Sequence, residues 1–288
     1  MKSIVRFLLS FLPDRLYLDL QFYHNFHRFP NWKSPKTFNE KIQWLKLYDH
    51  NPLYIDLVDK YAVKEIVAKK IGESHIIPTL GVWDRVEDIE WDKLPNRFVL
   101  KTTHGGGNNG VVICRDKSSF DKDMAIKKLS DALRHNSYLY GREWPYKHVR
   151  RRILAEQYID PDPETNDLSD YKFFCFDGEP KMLFVVTERN NKDTETRFDF
   201  FDIEFNHLDI TNGHPQSDHI PLKPDNYDEM VDCARKLSRG LSFVRIDLYS
   251  VNGKVYFGET TFFHHSGMVP FVPNKWDEIM GSWMKIPE

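Results

Sequence analysis

Paired cysteines, a long apolar run and a large excess of charge of either sign are all missing from this 288-residue chain, and each absence removes a class of protein. The three cysteines, Cys114, Cys175 and Cys233, are an odd number without a C-x-x-C pair, so neither a disulfide framework nor a thiolate zinc site is indicated. A reducing compartment is expected. The N-terminal stretch MKSIVRFLLSFLPDRLYLDL is interrupted by Arg6, Pro13 and Asp14 and has no small-residue cleavage site, so it reads neither as a membrane span nor as a cleaved leader. The expectation is a cytoplasmic chain. Residues 1–30 read first as a helix packed on the core, and second as an amphipathic segment against the inner face of a membrane or a partner. Forty Lys and Arg against 43 Asp and Glu leave a net charge of −3, and the one arginine cluster, Arg150 to Arg152, is short, so no nucleic-acid partner is expected. Internal repeats and low-complexity tracts are also absent.

What the chain does have is bulk: 41% hydrophobic residues, with 21 Phe, 13 Tyr and 7 Trp, enough for a substantial core. TFNEKIQWLKLYD opens with Thr37 and Glu40 in capping-box spacing, which predicts a helix from Phe38. A second helix is expected after Asn51-Pro52, carrying Leu53, Val58, Ala62 and Val67 and stopping at Gly72. SHIIPTLGVWD and LPNRFVLK read as extended segments, a third helix spans about Ser119 to His135, and RRILAEQYID is a strand. From Tyr171 the pattern turns to strands, with a hairpin signal at Asp177-Gly178, a helix from Tyr227 to Arg239, and a last hairpin around Asn252-Gly253. Helices first, then strands with inserted helices, predict an α+β fold and not a doubly wound sheet.

FVLKTTHGGGNNGVVICR contains the letters G-x-G-x-x-G at Gly105, Gly107 and Gly110, but the β-favouring VVIC follows where a dinucleotide loop must feed a helix. A Walker A loop fails as well, because Val111-Val112 stand where Lys-Ser or Lys-Thr is required. What survives is a glycine-rich hairpin whose backbone N–H groups can converge on phosphate oxygens, with Lys101 as a complementary charge. The plain alternative is a flexible hairpin tip.

RIDLYSVNGKVYFGETTF puts Asp247 and Glu259 on two arms of one hairpin. A two-residue Asn252-Gly253 turn would set them on opposite faces; a three-residue loop, Val251 to Gly253, would set both on one face, a diagonal step apart. The second arrangement makes an oxygen-rich site for a phosphate-bridging Mg2+, with Arg245 on the same face. The plain alternative is a pair of solvent-facing strand residues.

Together, TFNEKIQWLKLYD, DKYAVKEIVAKKIG, IPTLGVWD, FVLKTTHGGG, EWPYK, RRILAEQYI, DYKFFCFDGEP and RIDLY…GKVYFGETTFFHHSGM resemble the TupA-like members of the ATP-grasp superfamily, from about Ser34 to Gly281. The resemblance implies an ATP-grasp fold: an N-terminal helical region over 1–55, then an ATP-grasp domain over 56–288. Within that domain it implies a glycine-flap lid at about 76–157 and a metal-binding sheet subdomain at about 158–288, the two clasping ATP. It implies ATP contacts at Lys60, Lys101, His104, Gly105, Gly106, Gly107, Asn108, Asn109 and Gly110, at the adenine linker Glu156, Gln157, Tyr158 and Ile159, and near the ribose at Asp170. Asp247 and Glu259 match the Mg2+ carboxylates, and Thr261 stands where many ATP-grasp ligases have asparagine. Arg245 matches a residue stabilising the transferred phosphoryl, and Lys101, matching the second lysine near adenine and the α-phosphate, is the other catalytic candidate. One of Lys181, Lys192 and Arg197 is expected to add a phosphate contact.

The implied chemistry is ATP-dependent amide formation through an acylphosphate. The implied partners are a uronic-acid sugar or polysaccharide precursor and an amino acid or small amine. Trp144, Tyr146, His264, His265, Ser266 and Gly267 are candidates for the substrate side. Two rivals come from other classes: a metal-dependent glycosyltransferase using Asp160-Pro161-Asp162 as a D-x-D motif, and a non-catalytic nucleotide-binding assembly factor. For the D-x-D letters a plain surface loop is the stronger reading, because prolines and turn residues surround them.

Overall fold

The computed structural model describes residues 11–107, 110–161, 168–189 and 195–287. Two compact bodies divide the chain, one contributed by residues up to His50 and from Pro161 onward, the other by Asn51 to Asp160. The boundaries thus fall at 50/51 and 160/161, and the first helices fold with the later sheet instead of forming a region of their own.

The first body opens with α1 (Asp14–Phe26) and α2 (Phe38–Tyr48). The capping box forms as the sequence predicts: the Thr37 side chain accepts from the Glu40 backbone N–H, and the Glu40 carboxylate accepts from the Thr37 N–H. Phe38, the first residue of α2, is fully buried with its ring edge-on to Phe174, Phe176, Phe243 and Phe271. Burial of that ring contributes about 2–3 kcal/mol and ties the helix to the sheet.

The second body begins with α3 (Leu53–Val58) and α4 (Val63–Ile71), where the sequence predicted one helix. The break centres on Asp59. Asp59 leaves the helical region, with ψ 113°, and its Oδ1 accepts from the backbone N–H groups of Tyr61 and Ala62, capping a new start. Its Oδ2 receives Arg152 Nη2 at 2.8 Å, and the Lys60 N–H donates to Thr103 O. The strands that follow, β1 (Thr79–Trp83), β2 (Phe98–Thr102), β3 (Val111–Cys114) and, after α5 (Lys122–Arg134) and α6 (Ser137–Gly141), β4 (Ile153–Gln157), make an antiparallel sheet in the order β1-β4-β2-β3. Phe98 and Leu100 alternate with Val99 and Lys101, and the former join Ile153, Ala155, Ala125 and Leu129 in one core cluster. Lys101 and Glu156 are left on the other face.

The chain then returns to the first body with β5 (Asp170–Phe176), β6 (Glu179–Thr187), β7 (Arg197–Asp202), β8 (His207–Leu208), α7 (Tyr227–Ser238), β9 (Phe243–Val251), β10 (Lys254–Thr261) and α8 (Lys275–Trp283). The six strands are antiparallel in the order β10-β9-β5-β6-β7-β8. Two antiparallel sheets, each with helices attached, make the expected α+β fold. Asp177-Gly178 forms the expected two-residue turn, with φ +52° and +80°. Cys175, Phe173 and their neighbours on one face meet α7, while Asp170, Lys172 and Phe174 alternate to the other.

Candidate active site

In the 51–160 body, Glu156 is the centre of a charge cluster. Its carboxylate meets Lys64 Nζ at 2.6 Å and Lys101 Nζ at 2.5 Å, and it is 4% exposed. Burial works to raise the Glu156 pKa, but Lys101 and Lys64 outweigh it and hold the carboxyl below its ordinary range. Burial moves Lys64 in the downward direction against the pull of Glu156. Lys64 also donates to Ile77 O and Thr79 Oγ1, and a groove of about 450 Å3 beside it is lined by Tyr61, Ala62, Pro78 and Thr79.

A lowered carboxyl stabilises the fold above its unfolded pKa and loses that contribution as pH falls through its folded value. Glu156→Gln is therefore expected to cost about 1–3 kcal/mol at pH 7. The deficit should begin to shrink as pH falls below the ordinary carboxyl value of about 4.3 and vanish only once pH is below the depressed folded value, as urea midpoints followed from pH 7 downward would show.

The glycine loop lies in the same body. Lys60 Nζ donates to Gly105 O at 2.8 Å, so the helix break at Asp59 turns this lysine onto the loop. The glycines divide by cause. At Gly110, with φ +95°, a Cβ would sit 2.7 Å from the Ala132 Cβ and 2.8 Å from Thr102 Oγ1, so packing alone excludes a side chain. Gly106 has no positive φ and no atom within 4 Å of a Cβ position, so neither conformation nor packing explains it. His104 is buried, with Nε2 3.3 Å from His135 O, and burial followed by the charge of Arg151 moves its pKa down. Asn108 and Asn109 lie outside the described residues.

In the other body, the hairpin β9–β10 corrects the expected geometry. The turn is the two-residue one, Asn252-Gly253, with φ +51° and +74° and Val251 opposite Lys254. The carboxylates nevertheless share a face, because a bulge at Gly258 shifts the register by one residue and sets Glu259 directly opposite Asp247 and Thr261 opposite Arg245. A Cβ on Gly258 would lie 3.0 Å from Asp247 O and 3.1 Å from the Tyr249 ring, which is why glycine occupies the bulge.

On that face a buried lattice of alternating charge forms. Arg245 Nε donates to Asp247 Oδ1 and Nη2 to Asp247 Oδ2, both at 2.7 Å. Arg245 Nη2 also reaches Thr261 Oγ1 at 3.1 Å and lies 3.4 Å from Glu259 Oε1. Lys172, opposite Asp247 on β5, bonds that carboxylate and also Asp170 at 2.7 Å, and Arg189 adds a 2.8 Å contact to Asp170. Burial raises the Asp247 pKa more than Arg245 and Lys172 lower it; at Asp170 burial is outweighed by Lys172 and Arg189, and the pKa is lowered.

The arginine is aimed by a histidine. Arg245 Nη1 lies 2.8 Å from His264 Nδ1, and a guanidinium can only donate, so Nδ1 carries the lone pair. His264 Nε2 then donates to Asn212 Oδ1 at 2.8 Å, with the Asn212 amide fixed by donation to Val269 O and Pro270 O. Burial, then the neighbouring His265, Arg245 and Lys172, push His264 well below its ordinary pKa, in keeping with this neutral form. The next residues, His265 and Ser266, both sit in the left-handed region at φ +45° and +56°, a conformation costing about 1–3 kcal/mol each for non-glycine residues. Helix α2 holds them there: Lys46 Nζ donates to Ser266 O at 2.6 Å and Ser266 Oγ at 2.8 Å, and Gln43 Nε2 to Gly267 O at 2.8 Å. A Cβ at Gly267 would lie 2.5 Å from Gln43 Nε2.

The structure thus brings Arg245, Asp247, Glu259, Thr261, Asp170 and His264 together in one body, and Lys60, Lys101, Glu156 and the glycines in the other. Trp144 and Tyr146 lie in a short helical turn of the second body, on a different unit from His264 to Gly267. Gln157 ends β4, and the Tyr158 ring lies 5.3 Å under Arg97. Arg97 takes both oxygens of Asp160, which gives half of the D-x-D letters a structural partner; Asp162 is outside the described residues. Of the phosphate candidates, Lys181 is exposed, Arg197 Nη1 donates to Gln216 O, and Lys192 is outside the described residues. Lys172, Lys64, Asn212, Gln43 and Lys46 were missed. A lysine inside the aromatic strand YKFFCF was the available signal for the first, since a buried charge requires a partner.

Mg2+ fits this donor set as a phosphate-bound ion and not as a caged one. Glu259, with its side chain 34% exposed, and Thr261 offer hard oxygen at the open edge, while both Asp247 oxygens already accept from cations. Among the described residues no group of three or more His, Cys, Asp or Glu is placed to hold a metal.

No curated protein sequence matches the chain. Among solved structures it is similar to the D-alanine–D-alanine ligase of Bacillus anthracis, at 18% identity over 72% of this chain and 57% of that one, with a TM-score of 0.42. It is also similar to the D-alanine–D-alanine ligase of Helicobacter pylori (14%, 88% and 68%, TM-score 0.46) and the L-amino acid ligase of Bacillus licheniformis (13%, 89% and 57%, TM-score 0.49). The chain spans little more than half the length of the first and third of these. Likenesses so remote transfer no activity. The assignment rests on the family model for TupA-like ATPgrasp, which matches residues 40–285, so that the chain belongs to the TupA-like ATP-grasp family.

Proposed function

We propose that this protein is an ATP-dependent carboxylate–amine ligase. Its substrates are a hexuronic acid of a bacterial surface polysaccharide, or a precursor of one, and an amino acid or small amine. A carboxylate oxygen of the acid attacks the γ-phosphorus of ATP and the bond to the ADP oxygen breaks, giving an acylphosphate. The amine nitrogen then attacks the acyl carbon, phosphate leaves, and the amine gives up a proton. The observation that carries this reading is the Gly258 bulge, which collects Arg245, Asp247, Glu259 and Thr261 on one strand-pair face.

Positioning and charge do most of the work in phosphoryl transfer. Lys60 and Lys101 supply charge for phosphates, the backbone at Gly106 and Gly107 supplies N–H groups, and Glu156 with the segment through Ile159 faces the base. Glu259 and Thr261 would hold Mg2+, which neutralises phosphate charge when bound, while Asp247, both of whose oxygens accept from Arg245 and Lys172, would hold the arginine beside it. Arg245 is aimed by His264 at the transferring group. A cysteine nucleophile has no support: Cys114, Cys175 and Cys233 are buried, and burial pushes the thiols of Cys175 and Cys233 up to about 12 and about 11.

The test measures ADP and phosphate release from ATP and Mg2+ with mixtures of uronic-acid sugars and amino acids. Release that needs acid and amine together, and that falls about 100-fold or more in Lys101→Ala and Glu259→Ala, is the expected result. Nucleoside diphosphate formed from a sugar nucleotide without ATP, lost in Asp160→Ala and kept in Lys101→Ala, would replace the ligase by a glycosyltransferase.

A further inference from the structure

Helix α1 is apolar on two sides. Tyr17, Leu18 and Phe22 are buried in the first body. Leu16, Leu20 and Tyr23, at i, i+4 and i+7, form a second stripe that is 45%, 42% and 49% exposed. Phe29, 59% exposed, stacks on Tyr23 at 5.0 Å and widens it, and Phe11, 73% exposed, precedes it. A helix of 13 residues is about 20 Å long, so the stripe is a contiguous apolar strip and not a scatter of single residues.

Charge decides what it fits. Residues 1–36 hold six Lys or Arg (Lys2, Arg6, Arg15, Arg28, Lys33, Lys36) and two Asp, a net +4 in a chain whose whole charge is −3. Arg15, Lys33 and Lys36 are exposed, while Arg28 pairs with Glu40 and leaves the other three to form the basic rim. Of the acids, Asp19 is turned inward to accept from Trp32 Nε1 at 2.7 Å. A second copy of the chain would bring +4 against +4. An anionic bilayer complements the apolar stripe and the basic rim at once, with Tyr and Phe rings at headgroup level. No helix among the described residues is long and apolar enough to cross a membrane, so contact is along the surface.

We propose that the outer face of α1, with the basic residues flanking it, docks this protein flat on an anionic lipid bilayer. The proposal is independent of the ligase reading.

The full chain would be sedimented with vesicles of phosphatidylcholine alone and of phosphatidylcholine with roughly a third phosphatidylglycerol. Binding to the anionic vesicles only, weakened by salt, is expected. It should fall about tenfold or more in Leu16→Ser/Leu20→Ser/Tyr23→Ser, and separately in Arg15→Glu/Lys33→Glu/Lys36→Glu, with thermal unfolding unchanged in both. Absence of binding, or equal binding by wild type and both variants, overturns the proposal. So does a wild-type dimer that the apolar variant abolishes without any vesicle binding, which would give the face to a second copy.

Discussion

Gly258→Val is expected to lower ATP-dependent turnover about 100-fold or more and to cost about 1–3 kcal/mol of stability. A side chain at 258 meets the Asp247 carbonyl at 3.0 Å and the Tyr249 ring at 3.1 Å before any γ-carbon is added. The ladder then has two ways out. It can open, separating Asp247 from Glu259, or it can slip back to the register dictated by the Asn252-Gly253 turn. In that register Glu259 faces Ile246, and the carboxylate moves to the face covered by α7. Either way the two carboxylates no longer oppose each other.

Deleting Gly258 is the control that separates these causes. Without the extra residue the regular two-residue hairpin itself places Glu259 opposite Asp247, so the deletion should retain more turnover than Gly258→Val. Turnover and urea midpoints for the two variants check the point. If the deletion is as inactive as the valine variant and equally stable, glycine at 258 has some role other than setting register.

The same residue shows where sequence reading reached its limit. The letters R-x-D and E-x-T identify the hairpin and Asn252-Gly253 its tip, because both depend on near neighbours in the chain, but they leave a two-residue and a three-residue loop equally open. Whether Asp247 meets Glu259 depends on a one-residue bulge, and glycine in a strand has several uses. The capping box at Thr37 and the turn at Asp177-Gly178 were legible for the same local reason. The break at Asp59 was not, since helical spacing of Leu53, Val58, Ala62 and Val67 runs straight through it. Asp59 breaks the helix partly because Arg152, 93 positions away, holds its carboxylate. Lys64 is a like case: its partner Glu156 lies on the far strand of another element, and spacing along α4 says nothing about it.

Arg245→Met should have the largest effect on stability, about 3–5 kcal/mol, together with a loss of turnover of about a thousandfold. The guanidinium donates to both Asp247 oxygens, to Thr261 and to His264, and lies over the Phe184 ring with its carbon 5.8 Å from the centroid. Methionine keeps the packing on Phe184 and removes every donor. Asp247 is then left in the core with Lys172, which Asp170 also shares.

The pH dependence gives the cause a sign. Burial already holds the Asp247 pKa above its ordinary 3.8, against the pull of Arg245 and Lys172, so losing the arginine raises it further. A raised carboxyl costs the fold nothing below its unfolded pKa and destabilises it as pH rises through the folded value. The deficit of Arg245→Met relative to wild type should therefore be small near pH 4 and grow toward pH 7.5, when urea midpoints are compared. A deficit constant across that range would mean that lost hydrogen bonds to His264 and Thr261, and not the stranded carboxylate, set the cost. Arg245→Lys tests the geometry separately: an ammonium can restore a charge beside Asp247 but cannot reach His264 and Thr261 in the same plane. It should regain much of the stability and little of the turnover, because neutralising Asp247 takes one positive charge, whereas the proposed contact with a transferring phosphoryl takes the fork that His264 holds.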